Sequence, residues 1–145
     1  MKFIADVMLG KLAKRMRLLG FDVLYDQTFD DNDIIRLSLE QNRVILTRDT
    51  ELAGRPLAAN RMFIVHDDVK DQVRQVIDTF KIESVPGPLT RCSMCNESLI
   101  PITRQDIKDI VPEYVYNNYD GFLRCVSCGR VYWEGTHVRN MRLPG

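Results

Sequence analysis

The sequence predicts an α/β fold in which a parallel sheet is flanked by helices and is followed by a small cysteine-rich module. Short β-prone runs alternate with helical patterns over about the first 80 residues, and such alternation is typical of parallel sheets covered on both faces. A segment rich in Pro and Gly, residues 83–88, separates this region from all four cysteines. We therefore predict one domain over residues 1–85 and a second over residues 90–145.

The elements of the first domain follow from the spacing of its apolar residues. β-prone runs predict strands at residues 2–7, 21–25, 43–47 and 61–65. Helical periodicity and capping residues predict helices over residues 9–20, 30–39, 50–53 and 69–80. We expect Gly20 to end the first helix and the acidic run at 30–33 to begin the second.

The cysteines form two Cys-x-x-Cys pairs, Cys92 with Cys95 and Cys125 with Cys128. Two residues between the thiols let both sulfurs of a pair contact one cation, and two such pairs complete a tetrahedral zinc shell. The second pair is followed by Gly129 and a β-prone run, which is typical of a zinc ribbon. Because four thiolates leave no position for a catalytic water, we interpret this zinc as structural.

Two disulfides or a redox-active pair are the alternatives for these cysteines. The 29 residues between Cys95 and Cys125 exceed the usual spacer of a ribbon, so the chain must return to the second pair over a longer excursion. Zinc is favoured because nothing else in the sequence indicates an oxidising compartment.

The composition is that of an ordinary globular protein. The chain of 145 residues is 45% hydrophobic and 28% charged, and it has no run of about 18 apolar residues that would span a membrane. Asp6 and Lys11 interrupt the apolar N-terminus, which argues against a signal peptide. A zinc site without an export signal predicts a cytoplasmic location.

The formal net charge is zero, which argues against nucleic-acid binding through overall basicity. The charges are nevertheless segregated. Residues 1–20 carry five basic side chains and one acidic one, whereas residues 21–35 carry five acidic side chains and no basic one. Such a pattern suits a metal-dependent enzyme that acts on a polyanion, and it equally suits a solvated helix followed by a solvated loop.

Acidic residues lie at or just after the ends of the predicted strands. They are Asp6, Asp33, Asp49 and either Asp67 or Asp68. In open α/β sheets, ligands bind beyond the carboxyl ends of the strands, and a hard divalent cation relieves the repulsion between converging carboxylates. The sequence therefore indicates a magnesium or manganese site at this edge of the sheet.

Helix capping is the alternative role for Asp6 and Asp49. An acid buried without a partner costs several kcal/mol, so we expect Asp6 to have a hydrogen-bond partner or an ion. Thr47 lies on the same strand face as Asp49, where its hydroxyl can brace the site. For Asp30 and Asp31, a solvated loop is favoured over metal ligation.

Lys11, Lys14 and Arg15 share one face of the first predicted helix and begin near Asp6. We predict that this face contacts the phosphates of a nucleic-acid strand. Arg48 can do the same, or it can pair with an aspartate.

Four aromatic side chains are given structural roles in preference to functional ones. His66 and His137 are interpreted as structural or surface residues, because the cysteine quartet needs no fifth donor. Tyr132 and Trp133 follow the second cysteine pair, and a place in the ribbon core is favoured over a base-stacking platform.

Four blocks of the sequence resemble, in order, the Mut-seven C-terminal RNase domain family. They are the stretch from Asp6 to Asp22, Leu-Thr-Arg-Asp at 46–49, Arg-Cys-x-x-Cys-Asn at 91–96, and Cys-x-x-Cys-Gly-Arg-Val-Tyr-Trp-x-Gly-x-His at 125–137. The resemblance covers essentially the whole chain. It implies a PIN-like nuclease fold with a C-terminal zinc ribbon, and it implies that Asp6 and Asp49 bind a catalytic metal with Asp33 as the third acid.

Two functions of different classes follow. The first is a metal-dependent ribonuclease in which Asp6, Asp33 and Asp49 hold Mg²⁺ or Mn²⁺, which activates water for attack on an RNA phosphodiester. Its ribbon contacts RNA or a protein partner. The second is a non-catalytic RNA- or protein-binding adaptor, in which the acids only cap helices. Binding of Mn²⁺ that is lost with Asp6→Asn would distinguish the two.

Overall fold

A four-stranded parallel sheet with the strand order β2-β1-β3-β4 forms the first part of the molecule. The structure is a computed structural model, and it describes residues 1–134. The elements are β1 (Lys2–Ala5), α1 (Gly10–Leu18), β2 (Asp22–Leu24), α2 (Asp31–Gln41), β3 (Val44–Thr47), α3 (Thr50–Ala53), β4 (Arg61–Phe63) and α4 (Val69–Thr79). The predicted α/β fold, with a parallel sheet flanked by helices, is confirmed.

The sheet carries a hydrophobic core on each of its faces. Phe3 belongs to the cluster that includes Met16 of α1 and Val76 of α4. Its neighbour Ile4 belongs to the cluster that includes Ile34 of α2 and Leu52 of α3. Successive side chains of a strand point to opposite faces, and burial of both neighbours explains why β1 is apolar throughout.

The edge strand β4 ends at Phe63, earlier than predicted, where its partner β3 ends at the paired residue Thr47. On its outer edge, a side chain bonds the backbone groups that a further strand would use. The Nε2 group of Gln75 donates to the carbonyl of Phe63 at 2.8 Å, and its Oε1 accepts from the Val65 N–H at 3.0 Å. This amide occupies backbone groups that would otherwise be open to pairing with another chain.

The second part of the molecule is a three-stranded antiparallel sheet with the order β5-β6-β7. It contains β5 (Leu99–Pro101), α5 (Glu113–Asn118), β6 (Leu123–Cys125) and β7 (Val131–Tyr132). Residues between the cysteine pairs form a third apolar cluster around Ile107 and Phe122, and Trp133 packs against it. Trp133 thus has the predicted core position, whereas His137 lies outside the described residues.

The segment between the two sheets is hydrogen-bonded to the end of α1. Gly87 N–H donates to the Leu19 carbonyl at 3.1 Å, and Leu89 N–H donates to the Leu18 carbonyl at 3.0 Å. Gly20 has a φ of +97°, and a Cβ atom there would come within 2.4 Å of the Gly87 carbonyl oxygen. Because backbone contacts tie this segment to the first sheet, the division at residues 85–90 stays a prediction.

Among the described residues, the longest helices are too short and too polar to span a bilayer. The cytoplasmic location stays a prediction.

Candidate active site and metal centre

Asp6 and Thr47 are brought together by the pairing of two neighbouring parallel strands. Ala5 at the end of β1 pairs with Leu46 of β3, and the Asp6 N–H donates to the Leu46 carbonyl at 3.0 Å. Parallel strands present their carboxyl ends at the same edge, so residues that follow β1 and end β3 become neighbours. Asp6 is 4% exposed and Thr47 is fully buried.

The carboxylate of Asp6 accepts three hydrogen bonds. The Thr47 hydroxyl donates to Oδ2 at 2.5 Å, the Met8 N–H donates to Oδ1 at 2.9 Å, and the Arg48 N–H approaches Oδ2 at 3.4 Å. The Thr47 hydroxyl also accepts from the Asp49 N–H at 2.9 Å. The sequence placed Thr47 beside Asp49, and in the structure its hydroxyl connects the positions of both Asp6 and Asp49.

Both acids also cap helices, as the alternative interpretation proposed. Asp6 caps the 3₁₀ turn Val7–Leu9 that precedes α1, and Asp49 caps α3 by accepting from the Glu51 N–H at 2.9 Å. A carboxylate has about four lone-pair positions. Capping by one hydrogen bond therefore leaves half-buried Asp49 with acceptor capacity for another ligand.

Asp31 joins this group, although the sequence favoured a solvated loop for it. It is the first residue of α2, and its pKa is raised by partial burial and by the negative charges of Asp49 and Asp6, with Arg55 acting in the opposite direction. The contribution of these charges places Asp31 within electrostatic range of Asp49 and Asp6.

Asp33, the third acid expected from the sequence, has different contacts. It completes a capping box with Asp30 at the start of α2, and the two residues exchange hydrogen bonds of 2.8 and 3.1 Å. Arg36 lies 3.6 Å from the same carboxylate. Metal ligation by Asp33 stays a prediction. Asp31 is the residue of this helix whose pKa is raised by partial burial and by the charges of Asp49 and Asp6.

The acids do not form a closed cage for an ion. Within residues 1–134, only the four cysteines form a group of three or more His, Cys, Asp or Glu residues that could hold a metal. Mg²⁺ keeps several waters and is commonly held by one or two carboxylates. An open, oxygen-only donor set of this kind fits a hydrated magnesium or manganese ion.

Arg48 pairs with an aspartate, which was one of its two predicted roles. Its guanidinium donates to Asp67 at 2.7 Å and to the backbone carbonyl of His66. The Asp67 side chain is 94% exposed, while Asp68 begins α4 without a side-chain capping bond. The structure therefore gives Asp67 a salt bridge and leaves the choice between these two acids open.

The four cysteine sulfurs cluster in the second part of the molecule. All lie within 4.8 Å of one another, and Cys92 Sγ is 3.7 Å from Cys128 Sγ. Sulfurs at the corners of a tetrahedron around zinc, each about 2.3 Å from the metal, lie roughly 3.8 Å apart. All four cysteines are free, so the structure has the cluster of a zinc ribbon and contradicts the alternative of two disulfides.

Ionisation of these thiols is strongly interdependent. Burial opposes ionisation of Cys92, but hydrogen bonds from the Tyr132 hydroxyl and from backbone amides outweigh it and lower the pKa of Cys92 to about 7. Burial and the neighbouring sulfurs raise the pKa of Cys95 to about 12. Four thiolates this close need a cation in order to ionise together, and a metal ion such as zinc would supply that charge.

A model of the Mut7-C RNAse domain family matches residues 1–143. The chain belongs to the Mut7-C RNAse domain family. No curated protein and no solved structure matches the chain. The family match spans the parallel sheet, its acidic edge and the cysteine cluster, which agrees with the resemblance found in the sequence.

In this Mut7-C RNAse domain the first cysteine pair is bound to the parallel sheet by side chains that the sequence analysis did not single out. Arg17 is 3% exposed. Its guanidinium donates to the carbonyl of Val23 at 2.8 Å and to the carbonyls of Ser93 and Met94 at 3.0 and 3.3 Å. These last two residues lie between Cys92 and Cys95, so Arg17 fixes the cysteine turn directly.

Asn96 holds the other end of the same turn. Its Oδ1 accepts from the Val23 N–H at 3.1 Å, and its Nδ2 donates to Asp22 at 2.8 Å. Arg43 also donates to Asp22, at 2.8 Å. The polar edge of β2 is thus covered by the cysteine turn.

Tyr132 has a further role beside the ribbon core. Its hydroxyl lies 3.2 Å from Cys92 Sγ and accepts from the Ser93 N–H at 3.0 Å. Groups that hydrogen-bond a metal ligand orient it and tune its basicity. A Tyr seven residues after Cys125 in a ribbon strand was the available sequence signal for this contact.

Proposed function

We propose that this chain is a metal-dependent ribonuclease that hydrolyses RNA phosphodiester bonds at the edge formed by Asp6, Asp31 and Asp49. The placement of Asp6 and Asp49 at the carboxyl ends of the paired strands β1 and β3, joined through the Thr47 hydroxyl, carries the proposal. The pKa of Asp31, raised by burial and by the charges of Asp49 and Asp6, adds Asp31 to this pair. Membership of the Mut7-C RNAse domain family supports RNA as the substrate. The proposal replaces Asp33, which the sequence suggested, with Asp31.

Each acid contributes a different property to this site. Asp6 is held in one orientation by the Thr47 hydroxyl and the Met8 N–H, so it provides a fixed oxygen. Asp49 is half-buried and linked to Thr47 through its own N–H. Asp31 adds the negative charge that makes binding of a cation favourable. A bound Mg²⁺ or Mn²⁺ would lower the pKa of a water nucleophile and offset charge on the leaving oxygen.

We propose zinc as the structural metal of the cysteine cluster. A closed shell of four thiolates matches its preferred coordination, and the 3.7 Å sulfur separation supports it. RNA is the proposed partner, and the ribbon is the proposed surface for any protein partner.

The decisive experiment compares two aspartates that lie two positions apart on α2. Asp31→Asn should abolish cleavage of labelled RNA with Mn²⁺, because it removes a charge that the metal needs. Asp33→Asn is the matched control: it should retain cleavage while costing about 1 kcal/mol of stability through a weakened capping box. Cleavage lost with Asp33→Asn and retained with Asp31→Asn would restore the assignment made from the sequence.

Stability of the metal-free protein gives an independent test. Because the pKa of Asp31 is raised in the folded state, its ionised form disfavours folding, and the effect appears as pH rises above the ordinary carboxyl pKa. Asp31→Asn should therefore be neutral or stabilising at pH 7. A loss of about 1 kcal/mol or more in thermal unfolding would mean that the charge of Asp31 is not repelled.

A non-catalytic RNA- or protein-binding adaptor is the second candidate function. Two observations favour it: Asp6 and Asp49 both cap helices, and the described acids do not form a closed cage. RNA binding without cleavage in Mn²⁺ or Mg²⁺, for a protein that contains one zinc per chain, would establish the adaptor and reject the nuclease.

A further inference from the structure

A groove of about 860 Å³ opens at the carboxyl edge of the parallel sheet, where Val7, the residue after Asp6, belongs to its lining. One wall is the start of α1 and the turn before it, and the opposite wall is the start of α4. The loop after β2 and Met94 of the first cysteine turn complete it. This volume is that of a binding site for a drug-sized ligand or a few nucleotides.

The wall on α1 presents two cations to the groove. Lys11 and Lys14 are exposed and lie one helical turn apart. The described lining of the groove does not include Arg15, although the sequence grouped it with these lysines. Two cations on one wall match two phosphates of a strand that runs along the groove.

Two exposed methionine side chains line the same groove. Met8 is 65% exposed and Met94 is 45% exposed, and both line it. Thioether side chains are flexible and polarisable, so they contact varied partners without demanding one shape. Bases offer apolar faces to such contacts only where the strand is single and unstacked.

The groove is lined by three aspartates and by three basic side chains, Lys11, Lys14 and the buried Arg17, whose guanidinium is bonded to backbone carbonyls. Asp67 is neutralised by Arg48 at 2.7 Å, and Asp26 accepts two hydrogen bonds from Thr28. Asp68 makes no side-chain capping bond with α4, so its charge acts on whatever occupies the groove.

We propose that this groove binds single-stranded RNA next to the acidic edge. Lys11 and Lys14 contact successive phosphates. Met8 and Met94 contact bases without reading a fixed sequence, so the first cysteine turn forms part of the binding site. The identity of the ligand as RNA rests on the proposed function, whereas the position of the binding surface rests on the groove.

The test is the affinity of the zinc-loaded full chain for a short fluorescein-labelled RNA, measured by anisotropy without Mg²⁺ or Mn²⁺. The double variant Lys11→Ala, Lys14→Ala should flatten the dependence of log K on log salt by about 1.4, at roughly 0.7 per phosphate of a single strand. Lys81→Ala, on an exposed lysine at the other end of α4, is the matched control. An unchanged slope in the double variant would overturn the proposal.

Met94→Ser and Met8→Ser should each weaken binding by roughly three- to tenfold through lost apolar contact, with the slope unchanged. Leu39→Ser, on an equally exposed apolar side chain of α2, should have no effect. Met8→Ser keeps the test valid if Met94→Ser disturbs the cysteine turn. If both Met variants bind RNA as tightly as the Leu39 variant, the bases do not contact Met8 or Met94 and must contact another surface.

Asp68→Asn should tighten binding, since it removes a negative charge beside the phosphates. Duplex RNA of the same sequence should bind more weakly than the single strand, and equal binding would overturn the proposal. Cleavage distinguishes this proposal from the ribonuclease. Groove variants that bind normally, in a protein that cleaves RNA through Asp31, reject only the groove. Groove-dependent binding without cleavage in Mn²⁺ rejects only the nuclease.

Discussion

The two cysteine turns have the same backbone geometry but different surroundings. In the first, Asn96 N–H donates to the Cys92 carbonyl at 2.9 Å, and Cys92 N–H donates to the Glu97 carbonyl at 2.8 Å. In the second, Gly129 N–H donates to the Cys125 carbonyl at 2.8 Å, with an equivalent bond from Cys125 N–H. The pattern of two residues between cysteines is sufficient to produce this turn twice.

The difference lies in the residue that follows each turn. Asn96 and Gly129 both have positive φ, at +63° and +79°, a region that Gly and Asn tolerate better than other residues. Asn96 uses its side chain to bind β2. A Cβ atom at Gly129 would meet no atom of the described chain within 4 Å. One turn is therefore a joint between two sheets, and the other is a surface feature.

Loss of zinc should produce the largest difference in order between the two turns. Cys125→Ser should release the metal, whose binding contributes about 10 kcal/mol or more to small zinc modules. The Gly129 amide should then lose its protection from hydrogen exchange. The Asn96 and Val23 amides should remain protected, because Arg17 and β2 still hold the first turn, and the parallel sheet should stay largely folded.

The control for this experiment is Ser127→Ala, which changes the second turn without removing a thiol. It should retain one zinc per chain by elemental analysis and native exchange at both turns. Equal loss of protection at Asn96 and Gly129 in Cys125→Ser would show that the metal alone, and not the joint, orders the first turn.

Arg17→Met should have the next largest effect. It leaves the carbonyls of Val23, Ser93 and Met94 without their donor. Hydrogen bonds to charged groups contribute about 1.5–3 kcal/mol each, so for three bonds we expect a loss of roughly 5 kcal/mol and a Tm lower by about 10–20 °C.

Zinc should also dissociate faster from Arg17→Met, since Arg17 lies within electrostatic range of Cys92 and Cys95. Arg36→Met on the exposed face of α2 is the matched control for calorimetry and for zinc transfer to a chelator. A Tm within 1 or 2 °C of the wild-type value would contradict the role of Arg17 as the joint between the sheets.

Placing Gly after the first turn and Asn after the second should change stability less, and by different amounts at the two positions. Asn96→Gly should keep zinc, because Gly suits the positive φ, but it should cost about 1–2 kcal/mol through two lost hydrogen bonds to β2. Gly129→Asn should be tolerated with a change of less than about 1 kcal/mol. Urea unfolding of both variants measures this difference, and equal losses would mean that the joint adds nothing to stability.

The smallest expected effect is a pH dependence of the stability that Asp22 contributes to this joint. Burial acts to raise the pKa of Asp22, but hydrogen bonds from Arg43 and Asn96 outweigh it and lower the pKa. A lowered carboxyl pKa stabilises the fold above the unfolded value of about 3.9, and this stability is lost as pH falls through the folded value.

Asp22→Asn should therefore reduce stability at pH 7 by about 1 kcal/mol or less, since the group is partly exposed. It should also remove part of the loss between neutral and acidic pH in thermal unfolding curves. Asp109→Asn, on an exposed residue of the ribbon, is the comparison. If the wild type and Asp22→Asn lose the same stability between neutral and acidic pH, the pH dependence arises from other carboxylates.

Short-range patterns were readable from the sequence to within a few residues. The capped helix predicted at residues 50–53 is α3, the β-branched run at 43–47 is β3 without its first residue, and Gly20 has the positive φ of a helix end. These features depend on neighbours in the chain. In contrast, the end of β4 depends on where its distant partner β3 ends, and its outer edge is bonded by the side chain of Gln75, twelve positions beyond Phe63. No local pattern encodes these contacts.

The sequence by itself determined the α/β order, the parallel sheet and the spacing of the cysteines, because each follows from patterns local to the chain. The hydrogen bond between Thr47 and Asp6 was visible only in the structure, since it depends on β1 and β3 ending at the same edge of the sheet. Only the tertiary structure distinguished the surroundings of Asp31 from those of Asp33. Both lie in the first turn of one helix, but Asp31 is within electrostatic range of Asp49 and Asp6, whereas Asp33 closes a capping box with Asp30. Likewise, the turn after Cys92 required Asn or Gly, but the edge of β2 decided that Asn96 forms a joint.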